Sequence, residues 1–229
     1  MSVIHKSYRA YLFDLDGTLV DTAPDLGQAL NASLQSAGYP SVTTAQARNW
    51  IGHGAKFSLT QALAHHNVVL EPAVVETLLE NFLDHYADHV AEESTVYAGV
   101  IDTLDLLSNE GRKLAVVTNK PNRFVSPLLE AMSLDGYFAS VICGDTAAAP
   151  KPAPDPIDLC LDQLNVATVD ALMVGDSQTD VDAGKAAGVD VACFRHGYNH
   201  GVDVESLNAT YLFDRMDQIL PSGTGEISQ

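Results

Sequence analysis

Five short apolar runs punctuate the chain: AYLF at residues 10–13, LAVV at 114–117, SVIC at 140–143, ALMV at 171–174 and DVACF at 190–194. Their length and valine content predict strands buried on both faces. Between the later runs, apolar residues recur at three- and four-residue spacing in FVSPLLEAM after Pro121, IDLCLDQL after Pro156 and TDVDAGKAAG. These stretches predict helices, the last ending at Gly188. Strand and helix alternate, so the expected fold class is α/β, a parallel sheet with helices on both faces.

Residues 21–97 break that alternation. LGQALNASL, FSLTQALA and VVETLLENFLDHY each carry helical periodicity with no strand between them. The expected organisation is a core domain of residues 1–20 and 98–229 with an inserted α-helical domain of residues 21–97. Thr22, Pro24 and Asp25 suggest a helix start resembling a capping box. Near VYAGV, Gly99 precedes a further helix, IDTLDLLSNEG. The polar, glycine-rich PSGTGEISQ at the C-terminus is expected to fray.

The 229 residues are 46% hydrophobic, enough for one core carrying a smaller insert. The formal charge of −18 repels phosphate backbones and anionic lipid, which argues against nucleic acid or membrane as the main partner. No run approaches a membrane span and no basic-apolar leader opens the chain, so a cytoplasmic protein is expected. Cys143, Cys160 and Cys193 are dispersed among apolar neighbours, as buried reduced thiols are.

Chemistry gathers at the ends of the predicted strands. Asp14 follows the first, Thr118 the second and Asp176 the ALMVG run, while Lys151 lies in the loop beyond VICGD. In an open parallel sheet, ligands collect at the carboxyl ends of strands, so these residues can converge. Two carboxylates suit a magnesium ion, and a lysine with a hydroxyl suits a phosphoryl group.

DLDGT at residues 14–18, TN at 118–119, KP at 151–152 and GDSQTD at 175–180 match, in order, the four motifs of the haloacid dehalogenase-like hydrolases, which the chain resembles along its whole length. The resemblance implies a Rossmann-like core with a helical cap and hydrolysis of phosphate monoesters. Asp14 would be the nucleophile and Asp16 the general acid and base, with Gly17 turning the chain behind them. Thr118, Asn119 and Lys151 would hold phosphate. Asp14, Asp16 (through its main-chain carbonyl) and Asp176 would bind Mg²⁺, and Asp180 would stand behind the ion to orient its water. Dehalogenases lack the second aspartate, so Asp16 favours ester hydrolysis.

WIGHGAK at 50–56, TNKPNRFVSPLLEAM at 118–132 and HGYNHG at 196–201 are similar to the pattern of the bacterial phosphoglycolate phosphatase branch. The implied reaction is 2-phosphoglycolate to glycolate plus phosphate, a part of carbohydrate metabolism, by a monomer or homodimer. Gly52, His53 and Gly54 are then candidates for the substrate carboxylate, their backbone and the following helix start favouring an anion. Lys56 reads as solvated, and Lys120 and Arg123 stand evenly between surface charges and site residues. Ala153 occupies a place where relatives often carry a polar residue. His65 and His66 point in different directions, and Asp84, His85, Asp88 and His89 read as an outer helix face. The alternatives are a phosphatase of sugar or amino-sugar phosphates, a phosphomutase and a non-catalytic binding protein.

Overall fold

The computed structural model describes residues 4–221. Of the C-terminal stretch expected to fray, all but Pro221 lies outside the described residues. The chain opens with β1 (Ala10–Phe13) and β2 (Val20–Asp21), then runs through four helices, α1 (Ala23–Ser36), α2 (Thr44–Arg48), α3 (Ala55–His65) and α4 (Pro72–Asp88). It returns through β3 (Thr95–Val96) to α5 (Val100–Asn109), β4 (Lys113–Val117), α6 (Asn122–Ala131) and β5 (Ser140–Ile142). Then follow α7 (Asp155–Leu164), β6 (Ala171–Gly175), α8 (Gln178–Ala187), β7 (Asp190–Phe194) and β8 (Tyr211–Phe213).

Six strands form one parallel sheet in the order β5-β4-β1-β6-β7-β8. The two-residue period of a strand sends alternate side chains to opposite faces. Tyr11, Phe13, Val116, Leu172 and Val174 accordingly join one apolar cluster, while Ala10, Leu12, Ala115, Val117 and Met173 join another on the far side. Both faces are covered, which is why the strands read as continuous apolar runs. All three cysteines are buried and free.

The four helices between β2 and β3 bury a cluster of their own, including Leu30, Leu34, Leu59, Phe82 and Tyr86. Phe124 from α6 joins it, its ring meeting Tyr86 edge-on at 5.1 Å, so the helical layer rests on the sheet domain at this point. The two connections between the layers are zipped together by the antiparallel β2–β3 pair, with Val20 opposite Val96 and Asp21 opposite Thr95.

The α1 start differs from the capping box expected there. Thr22 is the N-cap residue, but its hydroxyl donates to Asp16 Oδ1 at 2.7 Å. Asp25 instead accepts from the main-chain N–H groups of Glu93 and Ser94 at 2.8 and 2.9 Å, bracing the returning connection. A capping box does exist at Thr43 and Gln46, where it starts α2, a helix too short to show periodicity.

Candidate active site

β1 lies centrally, with β4 on one side and β6 on the other, and the chain leaves these three strands at the same edge. The strand ladder holds the first residue beyond each end: Asp14 N donates to Val174 O and Thr118 N to Ile142 O, both at 2.9 Å. Asp14, Thr118 and Asp176 thereby line one cavity although more than a hundred residues separate the first from the second.

Lys151 enters from the loop after β5 and is almost wholly buried, 3% exposed. Its Nζ lies 3.0 Å from Asp14 Oδ1 and 2.6 Å from Asp180 Oδ1. Burial works to lower the lysine pKa, but the two carboxylates outweigh it and hold the ammonium above its ordinary range. Asn119 fixes the loop: its Nδ2 donates to Lys151 O and its Oδ1 accepts from Lys151 N, each at 2.8 Å. The side chain expected to hold phosphate is thus committed to placing the lysine.

Asp176 is held from two sides. Thr18 Oγ1 donates to its Oδ1 and the Tyr198 N–H to its Oδ2, both at 2.5 Å. Gly17 makes this approach possible, since at φ +93° a Cβ there would lie 2.6 Å from Asp176 Oδ2. Asp180 caps the α8 turn, with Oδ2 accepting from Ser177 N, Ser177 Oγ and Asp176 N at 3.1, 2.8 and 3.2 Å.

One carboxylate oxygen each from Asp14, Asp176 and Asp180 lies within 4.8 Å of the others. Burial pushes the Asp14 carboxyl up to about 6, opposed by Lys151 and reinforced by Asp180 and Asp16. Asp176 is raised well above the carboxylate range by burial, then by Asp180 and Asp14. Three crowded carboxylates with one ammonium leave negative charge uncompensated, and hard oxygen donors of this kind fit a small divalent cation. Among the described residues no other group of three acidic, histidine or cysteine side chains meets this way.

The Asp16 carboxylate engages different partners. Besides the Thr22 hydroxyl, Lys120 Nζ reaches its Oδ1 and Oδ2 at 3.0 and 3.2 Å. Lys120 is 7% exposed and its Nζ sits over the Tyr86 ring, 4.6 Å from the centroid. It is therefore a residue of the cavity wall, whereas Arg123 is exposed and lies over Phe124. Lys120 follows no strand end of its own, and only its place two residues after Thr118 marked it in the sequence.

The cavity, of about 170 Å³, lies between the strand ends and the helical layer. Leu26, Leu30, Phe82, Leu83, Tyr86 and Phe124 make its apolar wall. Gly52 and Gly54 line it, but His53 does not: its ring lies tilted against His200 with the centroids 4.1 Å apart, and His200 is the imidazole in the wall. Lys56 pairs with Glu76 on the surface. Tyr198 was not anticipated; its hydroxyl accepts from Thr22 N and Ala23 N at 2.8 and 2.9 Å and donates to Asp21 Oδ1 at 2.7 Å, tying the start of α1 to the sheet domain.

Residues 11–194 match the family model of the haloacid dehalogenase-like hydrolases. The chain is 43% identical to phosphoglycolate phosphatase 1 of Pseudomonas aeruginosa over 93% of its own length and 79% of that protein. It is 39% identical to the phosphoglycolate phosphatase of Aliivibrio fischeri, covering 91% and 93% of the two chains. The crystal structure of a predicted phosphoglycolate phosphatase from Haemophilus somnus superposes with a TM-score of 0.88 at 30% identity, covering 93% of this chain and 96% of that one. With the four motifs assembled around one cavity and this likeness running the length of the fold, the chain belongs to the haloacid dehalogenase-like hydrolases.

Proposed function

We propose that the protein hydrolyses 2-phosphoglycolate to glycolate and phosphate, with Asp14 as nucleophile and Mg²⁺ as cofactor. The observation that carries the mechanism is the convergence of Asp14, Lys151, Asp176 and Asp180 at one edge of the sheet, with Asp16 beside them on its own network. The substrate reading rests on the named activity of the relatives and on a small cavity with basic groups in its wall.

Asp14 attacks phosphorus as the bond from phosphorus to the ester oxygen breaks, leaving an aspartyl-phosphate. Asp16 gives its proton to the departing glycolate oxygen. Water then attacks phosphorus while Asp16 takes up the proton, the Asp14–phosphate bond breaks and phosphate is released. Lys151 and the Thr118 hydroxyl neutralise charge on the phosphoryl oxygens. Asp14, the Asp16 carbonyl and Asp176 would hold the magnesium ion, which offsets negative charge between nucleophile and phosphate. Asp180 fixes Lys151 and the turn carrying Asp176. Residues 21–97 act as a cap that excludes water and admits only a small ester.

Phosphate release from 2-phosphoglycolate, sugar phosphates, amino-sugar phosphates and nucleoside monophosphates tests the reading, with and without magnesium and with Asp14→Asn as blank. Preference for 2-phosphoglycolate, lost in the blank and without metal, supports it. Faster turnover of a sugar phosphate overturns the substrate, and no metal-dependent release from any ester overturns the mechanism.

A further inference from the structure

Lys120 is a buried ammonium on the cavity wall that the hydrolytic steps above leave unused. We propose that Lys120 is the specificity residue for a substrate carboxylate, so that the site selects small phosphate esters bearing a carboxylate one carbon from the ester oxygen. The inference rests on ester hydrolysis at Asp14 and names the group that reads the rest of the substrate.

A carboxylate entering this cavity meets an apolar wall of Leu26, Leu30, Phe82 and Tyr86, where an unpaired charge is costly. The basic side chains in the wall are Lys120, Lys151 and His200. Lys151 already lies between Asp14 and Asp180, at the place where phosphate must sit. The His200 ring faces the Asn49 carbonyl through Nδ1 at 2.9 Å and lies tilted against His53. Arg48 pairs with Asp21 at 2.7 Å and is not part of the wall. Lys120 remains.

Its position fits the length of the substrate. The leaving oxygen must approach Asp16 to be protonated, and in 2-phosphoglycolate a single methylene separates that oxygen from the carboxylate. The ammonium touching both Asp16 oxygens therefore lies where the carboxylate arrives. Its three N–H donors can serve Asp16 and the substrate together, while the Thr22 hydroxyl continues to hold Asp16 if the contact loosens. Tyr86 backs the ammonium with its ring face, and α4 of the helical layer thus helps position a group that reads the substrate.

The test compares a matched pair of esters, 2-phosphoglycolate and 2-hydroxyethyl phosphate, which differ by a carboxylate against a neutral hydroxymethyl group. In the wild type kcat/KM favours the acid. In Lys120→Met and Lys120→Gln that ratio falls by roughly 10- to 100-fold, the scale of one lost hydrogen bond to a charged group. Equal losses on both esters would assign Lys120 to holding Asp16 alone and overturn the proposal. If neither variant folds, a wild-type ratio near one overturns it equally, and Lys120→Arg, which keeps a cation beside Asp16 but moves its donors, takes their place: a changed preference for the acid supports the proposal and an unchanged one overturns it. A wild type that favours carboxylate esters but turns over a larger one faster than 2-phosphoglycolate would overturn only the choice of substrate.

Discussion

Replacing Asp180 by asparagine should damage the protein more than the small change suggests. Every partner of this carboxylate is a donor: Lys151 Nζ on Oδ1, and Asp176 N, Ser177 N and Ser177 Oγ on Oδ2. An asparagine must turn its NH₂ group either toward the lysine ammonium or toward the α8 turn, so one side becomes donor against donor in either orientation. Asp180 is 1% exposed, so bulk solvent cannot reach the mismatched side. Lys151 keeps Asp14, and losing the charge eases repulsion on Asp14 and Asp176, so the cost is that of a buried hydrogen-bonding group left unsatisfied, about 1–3 kcal/mol, equivalent to a fall in Tm of about 2–12 °C for a chain of this size. Lys151 would then have Asp14 as its one remaining carboxylate, and tighter pairing would make that nucleophile less available. Thermal unfolding in chelator and kcat for phosphate release read the two effects. A Tm within about 2 °C of wild type, less than the smallest effect worth a named mechanism, would refute the reasoning.

Magnesium should raise Tm more at about pH 7.5 than at about pH 5: raised pKa values at Asp14 and Asp176 mean that the metal-free fold binds more protons than the unfolded chain, so its stability falls as pH rises through that window, and the ion reverses this only when the carboxylates are ionised. Equal increments, measured by scanning fluorimetry, would contradict this. Tyr198→Phe keeps the ring but leaves the Thr22 N–H without its acceptor and the Ala23 N–H with only the long contact to Asp21 Oδ1 at 3.4 Å, which should cost about 1–3 kcal/mol in denaturant unfolding. An unchanged midpoint would remove Tyr198 from the anchoring of α1. Gly17→Ala should abolish metal-dependent activity, because its Cβ displaces Asp176; activity near wild type would show that the turn can relax.

The sheet was legible because its four interior strands and the edge strand β5 each carry a short, mostly apolar run, and residues 10–13 and 190–194 coincide with β1 and β7. β8 escaped notice since Tyr211 and Leu212 are only partly buried at the sheet edge, and β2 and β3 are two-residue pieces with no period to read. Asp14 and Asp176 were found because motif and strand end coincide, and Lys151 because its KP motif stands in order among the others. The supporting contacts were not: Thr18 and Tyr198 stood only as parts of DLDGT and HGYNHG and Lys120 stood evenly between surface and site, because they act through contacts 158, 22 and 104 positions away along the chain and no local pattern encodes such a pairing. His53 shows what spacing leaves open. A histidine between glycines is exposed, as expected, but only the fold directs its ring onto His200 and Phe57.

The central claim is that Asp14 itself receives the phosphoryl group. Rapid acid quenching of the magnesium-loaded protein during turnover of 2-phosphoglycolate labelled on phosphorus, followed by peptide mapping, tests it directly. The account predicts label on the peptide containing Asp14, and none in Asp14→Asn. Label on another residue, or turnover without any covalent label under conditions that preserve acyl phosphates, would contradict it.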